Sequence, residues 1–189
     1  YVVITVVNRD DMGDGGASHY RKCINVINQR LPHVGLELLC SDLSGNIKAL
    51  EYLLEKSPLK VFAHNVETVR RLTPRVRDPR ATFDQSIKIL KKAKQIRPDI
   101  MTKTSMMLGL GETEEEIMAT FQELIAAKVD LLTLGQYLSP GPGYHPVVSF
   151  PEPGSFDRLA NIAKEVGFKA IASGPMVRSS YRAESLVAA

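Results

Sequence analysis

The sequence predicts an α/β fold in which parallel strands curl into a partial (β/α)6 barrel. Short apolar runs recur along the 189 residues, and each is followed by a polar or glycine-containing turn and then by a segment with helical spacing of apolar residues. Parallel neighbours require crossover connections, so this alternation favours a parallel sheet. A closed eight-stranded barrel uses about 250 residues, so an incomplete barrel fits this chain better.

Six strands are predicted along the chain. They lie at residues 1–7, 36–40, 60–64, 101–107, 131–135 and 168–172, where the apolar runs occur. An open doubly wound sheet is the alternative architecture. Its dinucleotide-binding form is disfavoured because no G-x-G-x-x-G motif follows the first strand.

The helices between the strands are predicted from apolar residues at helical spacing. These residues are Ile47, Leu50, Leu53 and Leu54 in one helix, Phe83, Ile87, Leu90 and Ala93 in another, Ile117, Phe121, Leu124 and Ile125 in a third, and Phe156, Leu159, Ile162 and Val166 in a fourth. Thr113 and Glu116 form a capping box that fixes the start of the third helix. Gly167 ends the fourth.

Composition excludes two classes of protein. The formal charge is +3, from 24 basic and 21 acidic residues, and no basic block of the kind that binds nucleic acid is present. No apolar run approaches the roughly 20 residues that cross a bilayer. We therefore expect a soluble, intracellular protein that binds neither nucleic acid nor membrane.

The cysteines and the first residue carry two further expectations. Cys23 and Cys40 are too far apart for a zinc knuckle or a redox C-x-x-C pair, so both are interpreted as ordinary thiols. Tyr1 already belongs to an apolar strand. We therefore expect these residues to be part of a longer sequence.

Polar residues follow the predicted strands, and the ligand site of such a fold lies beyond the carboxyl ends of its strands. The polar residues are Asn8, Arg9, Asp10 and Asp11 after the first strand, Ser41 and Asp42 after the second, His64, Asn65 and Glu67 after the third, and Gln136 and Tyr137 after the fifth. His64, Asn65 and Glu67 are candidates for a base or for holding ribose hydroxyls, because a carboxylate accepts two hydrogen bonds from a diol.

Three other segments are candidate sites from their residue types alone. Lys103 lies inside the fourth strand, where an ammonium must face a polar cavity or contact an anion. The turn at 109–112 leads into a helix whose free N–H groups suit a carboxylate or phosphate, although two glycines before a helix are also common for steric reasons. Arg178 and Arg182 stand among serines in the tail, where they either grip an anion or remain solvated.

Five collinear segments resemble one family. They are residues 1–11 with Asp14–Gly16 behind them, His64–Thr68, Met107–Thr113, Gly135–Leu138 and Val177–Tyr181, and they cover nearly the whole chain. In this order they resemble the lipoyl synthases, which are radical S-adenosylmethionine enzymes with a six-stranded partial barrel. On this basis residues 1–172 are expected to form the partial barrel, and residues 173–189 a tail that carries the Arg-Ser-Ser-Tyr motif.

The resemblance implies a reaction, cofactors and partners. In that family one [4Fe-4S] cluster cleaves S-adenosylmethionine to a 5'-deoxyadenosyl radical, which removes hydrogen from carbons 6 and 8 of a protein-bound octanoyl group. A second cluster is consumed as the source of two sulfur atoms. The implied partners are octanoylated lipoyl domains, the glycine-cleavage H protein and iron-sulfur carrier proteins. The implied location is the cytoplasm, or the interior of a mitochondrion or plastid.

The resemblance also implies roles for individual residues. The expected cofactor contacts are Asn65, Glu67, Lys103, Ser105, Gly109, Gly111 and Glu112; the expected substrate or cavity residues are Asp10, Asp11, Gln136, Tyr137 and Arg178; and Ser180 is the expected serine ligand of the consumed cluster. A hydroxyl is a harder and weaker ligand to iron than a thiolate, which suits a cluster that must come apart.

One departure from the family pattern leaves alternatives open. The family carries two cysteine triplets ahead of the stretch matched by Tyr1, and Cys23 and Cys40 do not replace six ligands. The chain by itself is therefore expected to bind no stable cluster. One alternative is a non-catalytic scaffold that binds S-adenosylmethionine or a lipoyl carrier. Another is a metal-independent barrel enzyme with Lys103 as a Schiff-base amine.

Overall fold

A computed structural model describes residues 1–188 and contains six parallel strands. The strands are β1 (Val2–Thr5), β2 (Leu36–Leu39), β3 (Val61–Ala63), β4 (Met101–Leu108), β5 (Leu131–Gln136) and β6 (Ala170–Ser173). They form a single sheet in the order β1-β2-β3-β4-β5-β6. Each strand pairs with the next one along the chain and the order never reverses, so the sheet is wound in one direction. The predicted curled α/β sheet is confirmed, and the doubly wound alternative is not.

Seven α-helices accompany the strands. They are α1 (Ala17–Arg30), α2 (Ile47–Leu54), α3 (Thr73–Val76), α4 (Phe83–Ile96), α5 (Glu114–Ala126), α6 (Pro153–Val166) and α7 (Ala183–Ala188). The predicted capping box at the start of α5 is present in both directions. Gly167 follows α6 with a positive φ of 121°, as expected of a glycine that ends a helix. None of the helices within residues 1–188 is long and apolar enough to cross a membrane.

Helix α1 was not predicted from the sequence. It begins after Gly16, whose φ is 89°, and the Asp14 carboxylate accepts from the Ser18 N–H in its first turn at 2.9 Å. Only three of its 14 residues, Ala17, Tyr20 and Ile24, are buried. The apolar stripe is therefore narrow, so the helical spacing of apolar residues is a weak indication here.

The core is divided by the alternation of side chains along each strand. On β3, Phe62 packs in an outer cluster against the helices, whereas Val61 belongs to an inner cluster inside the curled sheet. The inner cluster also contains Leu131 and Ala170, which begin β5 and β6, and Leu186 from α7. Helix α7 thus covers the inner face near the amino-terminal ends of these strands and leaves the carboxyl ends for a site.

Candidate functional site

Three adjoining cavities lie along the carboxyl ends of the strands. The first, of about 290 Å³, and the second, of about 180 Å³, share Asn8, Asp42 and Ala81 in their linings. The second and a third, of about 160 Å³, share Asn65 and Glu67. We refer to these three cavities together as the groove. Asn65 and Glu67 therefore stand at the middle of the groove, where the sequence predicted a site.

Glu67 is held in the groove by its own backbone. Its N–H donates to the Ser105 carbonyl at 3.1 Å, and its carbonyl accepts from the Met107 N–H at 2.8 Å. These two bonds extend the β3–β4 pairing past the end of β3 as an isolated bridge. Glu67 has a φ of 66°, a left-handed conformation that costs free energy for a residue other than glycine. Such strain at a cavity wall is typical of a residue placed for binding.

Burial and two polar neighbours act in opposite directions on the pKa of the Glu67 carboxylate. Burial raises its pKa, while a hydrogen bond from Asn65 and the charge of Arg77 oppose that rise. A carboxylate in this position accepts hydrogen bonds from a ligand more strongly than it would in open water, because solvent competes less for its lone pairs.

Arg77 is the positive charge of the second cavity. It lies just after α3, and its guanidinium is half-buried, so desolvation lowers its pKa, while the charges of Glu67 and Asp42 act in the opposite direction. Its Nη1 donates to the Ser86 hydroxyl at 2.6 Å. The sequence analysis missed this residue because it follows a short helix and not a strand. It lies three residues before Arg80 in a charged turn, so nothing in the sequence distinguishes it from the other charged residues there.

His64 is a buried residue in the lining of the second cavity. Its Nδ1 lies 2.9 Å from the Cys40 carbonyl oxygen, and its Nε2 lies 2.9 Å from the Ser86 hydroxyl. Burial lowers its pKa to about 4, with the nearby Arg77 charge acting in the same direction. The imidazole is therefore neutral at pH 7 and is already hydrogen-bonded through both nitrogens, which leaves it poorly placed to act as a general base.

The buried His64 predicts a loss of stability in mild acid. Its folded pKa of about 4 lies below the unfolded value near 6.5, so the unfolded chain takes up a proton first as the pH falls. The stabilising contribution is complete above about pH 6.5 and is lost between that pH and the folded pKa. Lowering the pH from 7 to 5 should remove about 2 kcal/mol of unfolding free energy through this residue.

Urea unfolding of wild type and His64→Gln at both pH values measures this effect. The variant should be less stable at pH 7 but lose less on acidification. His33→Gln, at an exposed position, is the matched control and should keep the wild-type pH dependence. An unchanged pH dependence in His64→Gln would contradict the assignment.

Three of the other predicted residues line the third cavity: Ser105, Gln136 and Arg178. The Gln136 amide nitrogen donates to the carbonyls of Tyr137 at 2.9 Å and Ser149 at 3.2 Å, which fixes its orientation. The Arg178 Nη1 donates to the Val177 carbonyl at 2.8 Å. In the Arg-Ser-Ser-Tyr segment Ser179 lines the cavity, whereas Ser180 is exposed beside it.

The acidic turn after β1 is divided between the groove and solvent. Asp10 lines the first cavity, where it accepts a hydrogen bond from the Ser44 hydroxyl at 3.1 Å and lies 3.0 Å from Arg80. Asp11 instead binds Arg9 on the exposed surface, with contacts of 2.6 and 2.8 Å. The two neighbouring aspartates were predicted to act together, but only Asp10 lines a cavity of the groove.

Lys103 does not reach the groove. It is 1% exposed, and its Nζ lies 2.8 Å from the Glu37 carboxylate inside the curled sheet. The prediction that this ammonium contacts an anion is confirmed, but the anion is a side chain of β2. Lys103 lines none of the three cavities, so the structure does not support it as a Schiff-base amine or as a cofactor contact.

The turn at 109–112 binds its own carboxylate. Glu112 accepts from the Gly109 N–H at 2.7 Å and from the Leu110 N–H at 2.9 Å. Val148 packs against Gly111. The free N–H groups predicted to hold a ligand anion at this turn are therefore already satisfied.

Tyr137 also has a structural role. Its ring lies in the large outer cluster between the sheet and the helices, and its hydroxyl donates to the His145 carbonyl at 2.7 Å. It does not line the groove, although it follows a strand.

An iron-sulfur cluster does not fit the residues present. Within residues 1–188 no group of three or more histidine, cysteine, aspartate or glutamate side chains could hold a metal ion. Burial raises the pKa of the Cys40 thiol to about 12, which keeps it protonated, whereas a metal ligand must be a thiolate. Cys23 lies on α1, with its sulfur 3.6 Å from the His19 ring. No cluster chemistry is therefore assigned to these residues.

A nucleoside with an amino-acid end does fit the groove. Glu67 is a half-buried acceptor suited to a diol, Asn65 offers an amide beside it, and Arg77 is a half-buried cation suited to a carboxylate. A larger cavity of about 550 Å³ lies at the open edge of β6, but it contains none of the predicted cofactor or substrate residues.

The fold and this polar groove at the carboxyl ends of a curled parallel sheet define a class of proteins. Residues 1–124 match the family model described as the Radical SAM superfamily, and the chain belongs to that superfamily. Among solved structures, a methylornithine synthase matches with a TM-score of 0.64 at 14% identity, covering 96% of this chain and 61% of that one. This second match supports the fold alone.

The curated relatives are more specific, and they are lipoyl synthases. The chain is 54% identical to the lipoyl synthase of Thermus thermophilus and 53% identical to that of Marinobacter nauticus, each over 97% of this chain. It is 50% identical to the mitochondrial lipoyl synthase of Bos taurus, also over 97% of this chain. The match spans 57%, 53% and 49% of these three relatives, so the chain spans about half of their length.

Proposed function

We propose that this chain forms the S-adenosylmethionine-binding part of a lipoyl synthase, which inserts two sulfur atoms at carbons 6 and 8 of a protein-bound octanoyl group. The observation that carries the proposal is the convergence of Asn65, Glu67 and Arg77 on one cavity of a radical SAM fold. The high identity to lipoyl synthases supports the choice of reaction.

Each of these residues has a separate task in binding. The Glu67 carboxylate accepts hydrogen bonds from the two ribose hydroxyls, and Asn65 keeps that carboxylate oriented. The Arg77 guanidinium binds the carboxylate of the methionine part by parallel N–H donors. When bound, S-adenosylmethionine supplies the hydrogen-removing chemistry that an unactivated methylene requires, because such a carbon has no acidic proton for a side-chain base.

We propose Ser180 as the serine ligand of the consumed cluster, and we propose that the cysteine ligands belong to the part of lipoyl synthases that these 189 residues do not span. The chain supplies two cysteines, and residues 1–188 contain no group of three or more histidine, cysteine, aspartate or glutamate side chains that could hold a metal ion. We propose two [4Fe-4S] clusters for the whole protein, octanoylated lipoyl domains or the glycine-cleavage H protein as its substrates, and iron-sulfur carriers as its suppliers. The bacterial and mitochondrial relatives support our proposal of a location in the bacterial cytoplasm or, in a eukaryote, in the mitochondrion.

Replacing Glu67 with glutamine tests the binding role. The full-length Glu67→Gln protein should bind S-adenosyl-L-homocysteine about 10- to 100-fold more weakly by calorimetry, because it loses hydrogen bonds to a charged acceptor. Burial raises the pKa of Glu67, so its ionised form destabilises the fold once the pH exceeds the unfolded value. The variant should therefore melt no lower than wild type at pH 7.

The matched control is Glu165→Gln, at an exposed position of α6. It should bind as wild type does. If wild type shows no binding of S-adenosyl-L-homocysteine, or if Glu67→Gln binds as tightly as wild type, the nucleoside site is wrong. Conversion of an octanoyl to a lipoyl peptide, followed by mass spectrometry with the cluster-loaded full-length protein, tests the reaction itself.

A further inference from the structure

The hydrogen bonds behind Arg77 have a single possible direction. The Cys40 carbonyl oxygen can only accept, so the proton of the neutral His64 ring resides on Nδ1, which lies 2.9 Å away. The His64 Nε2 is then an acceptor, and the group 2.9 Å from it is the Ser86 hydroxyl. Ser86 must donate its one proton to that nitrogen.

The lone pairs of Ser86 therefore face Arg77. Its oxygen accepts from the Arg77 Nη1 at 2.6 Å, which is the contact that a hydroxyl without a spare proton can make with a cation. Ser86 and His64 are 0% and 4% exposed, so water does not compete for these bonds. Three successive hydrogen bonds, through the buried side chains of Ser86 and His64, therefore link the Arg77 guanidinium to the Cys40 carbonyl directly after β2.

Arg77 has no second anchor of this kind. Within the described residues the only hydrogen bond that its side chain makes is the one to Ser86, and Arg77 lines the second cavity. An arginine side chain has several rotatable bonds, so a single well-directed acceptor decides where its fork points. Asn65 and Glu67 follow His64 within three residues of the chain. The end of β3 therefore positions the proposed diol acceptor, Glu67, and also the residue that orients the Arg77 cation.

We propose that His64 and Ser86 are positioning residues, which hold the Arg77 guanidinium in the orientation that binds the ligand carboxylate. The inference rests on the proposed function for the identity of the ligand. The hydrogen-bond direction rests on the structure alone and can be tested without a ligand. Ser86 lines none of the three cavities, and both ring nitrogens of His64 are already hydrogen-bonded, so both residues act through Arg77.

Two ligands that differ only at the amino-acid end separate this role from simple packing. S-adenosyl-L-homocysteine carries the carboxylate, and 5'-methylthioadenosine carries the same nucleoside without it. In full-length Ser86→Ala the affinity for the first should fall about tenfold, the scale of one hydrogen bond to a charged group, while the second should change less than twofold. Ser86→Thr keeps a hydroxyl and should recover most of the loss.

Ser57→Ala is the matched control, because Ser57 is a buried serine whose hydroxyl has no partner among residues 1–188. It should leave both affinities unchanged. The proposal is overturned if Ser86→Ala, folded by its melting curve, keeps wild-type affinity for S-adenosyl-L-homocysteine, or if it loses both ligands equally. If wild type binds neither ligand, the proposed function fails, and the following measurement still decides the hydrogen-bond chain.

Nitrogen-15 NMR of the histidine side chains reports the direction of the chain without any ligand. The His64 ring should show a protonated Nδ1 and a bare Nε2 at pH 7, and in Ser86→Ala the Nε2 resonance should shift as its donor is removed. A protonated Nε2 in wild type would reverse the chain and remove the argument that Ser86 must accept from Arg77.

Discussion

Replacing Lys103 with methionine should cost about 3–5 kcal/mol of unfolding free energy, because it leaves the Glu37 carboxylate buried without its cation. Both side chains are 1% exposed, and the two charged atoms lie 2.8 Å apart. The other Glu37 oxygen accepts from the Tyr1 hydroxyl at 3.2 Å, a neutral partner that does not compensate a full charge. Urea unfolding at pH 7 measures the loss.

The double variant Lys103→Met, Glu37→Leu separates the pair from the packing around it. Removing both charges together avoids the unpaired ion, so the double variant should recover most of the stability lost by the single one. Its ligand affinity should equal that of wild type, because neither residue lines the groove. Equal losses in the single and double variants would show that volume, and not charge, decides the effect.

The second large effect is expected at Gly135, where the tail crosses the end of β5. A Cβ built on Gly135 would lie 2.2 Å from the Val177 carbonyl oxygen. That segment is tied down by hydrogen bonds from the Gly174 N–H to the Leu134 carbonyl at 3.1 Å and from the Gln136 N–H to the Pro175 carbonyl at 3.3 Å. Gly135→Ala should therefore destabilise the fold by about 1–3 kcal/mol through overpacking.

The same substitution should also weaken ligand binding, because the displaced tail lines the third cavity. Gly154→Ala is the control: Gly154 lies in α6 with nothing within 4 Å of the added methyl group, so alanine should raise the melting temperature slightly. A Gly135→Ala protein that melts and binds like wild type would mean that the tail is not held against β5.

The strands were predictable because most of them, such as β3 and β5, are buried and largely apolar runs of a parallel sheet, and all six were found within a few residues. Helix α1 was missed because its buried apolar stripe is narrow. Glu37 was a signal that went unused. A lone carboxylate inside the apolar run of β2 is as costly as Lys103 inside β4, and two such residues are natural partners.

The groove was predictable only in part, because the strand-end rule selects by position along the chain. It correctly indicated Asn65, Glu67 and Gln136 as cavity residues, since all three follow or end strands. It could not indicate Arg77, which lines the second cavity from a loop, or Ser86, which contacts Arg77 from helix α4, because only the folded chain brings that loop and that helix to the groove.

The isolated bridge at Glu67 reduces the conformational entropy that is lost when a ligand binds. A side chain on a free loop must be ordered when its ligand arrives, and that ordering subtracts from affinity. Here an isolated bridge to β4 holds the Glu67 backbone in place, and because its N–H is hydrogen-bonded to the Ser105 carbonyl, we expect this amide to exchange slowly with solvent. The conformational cost of aligning this acceptor is met during folding, and the ligand encounters a preformed wall.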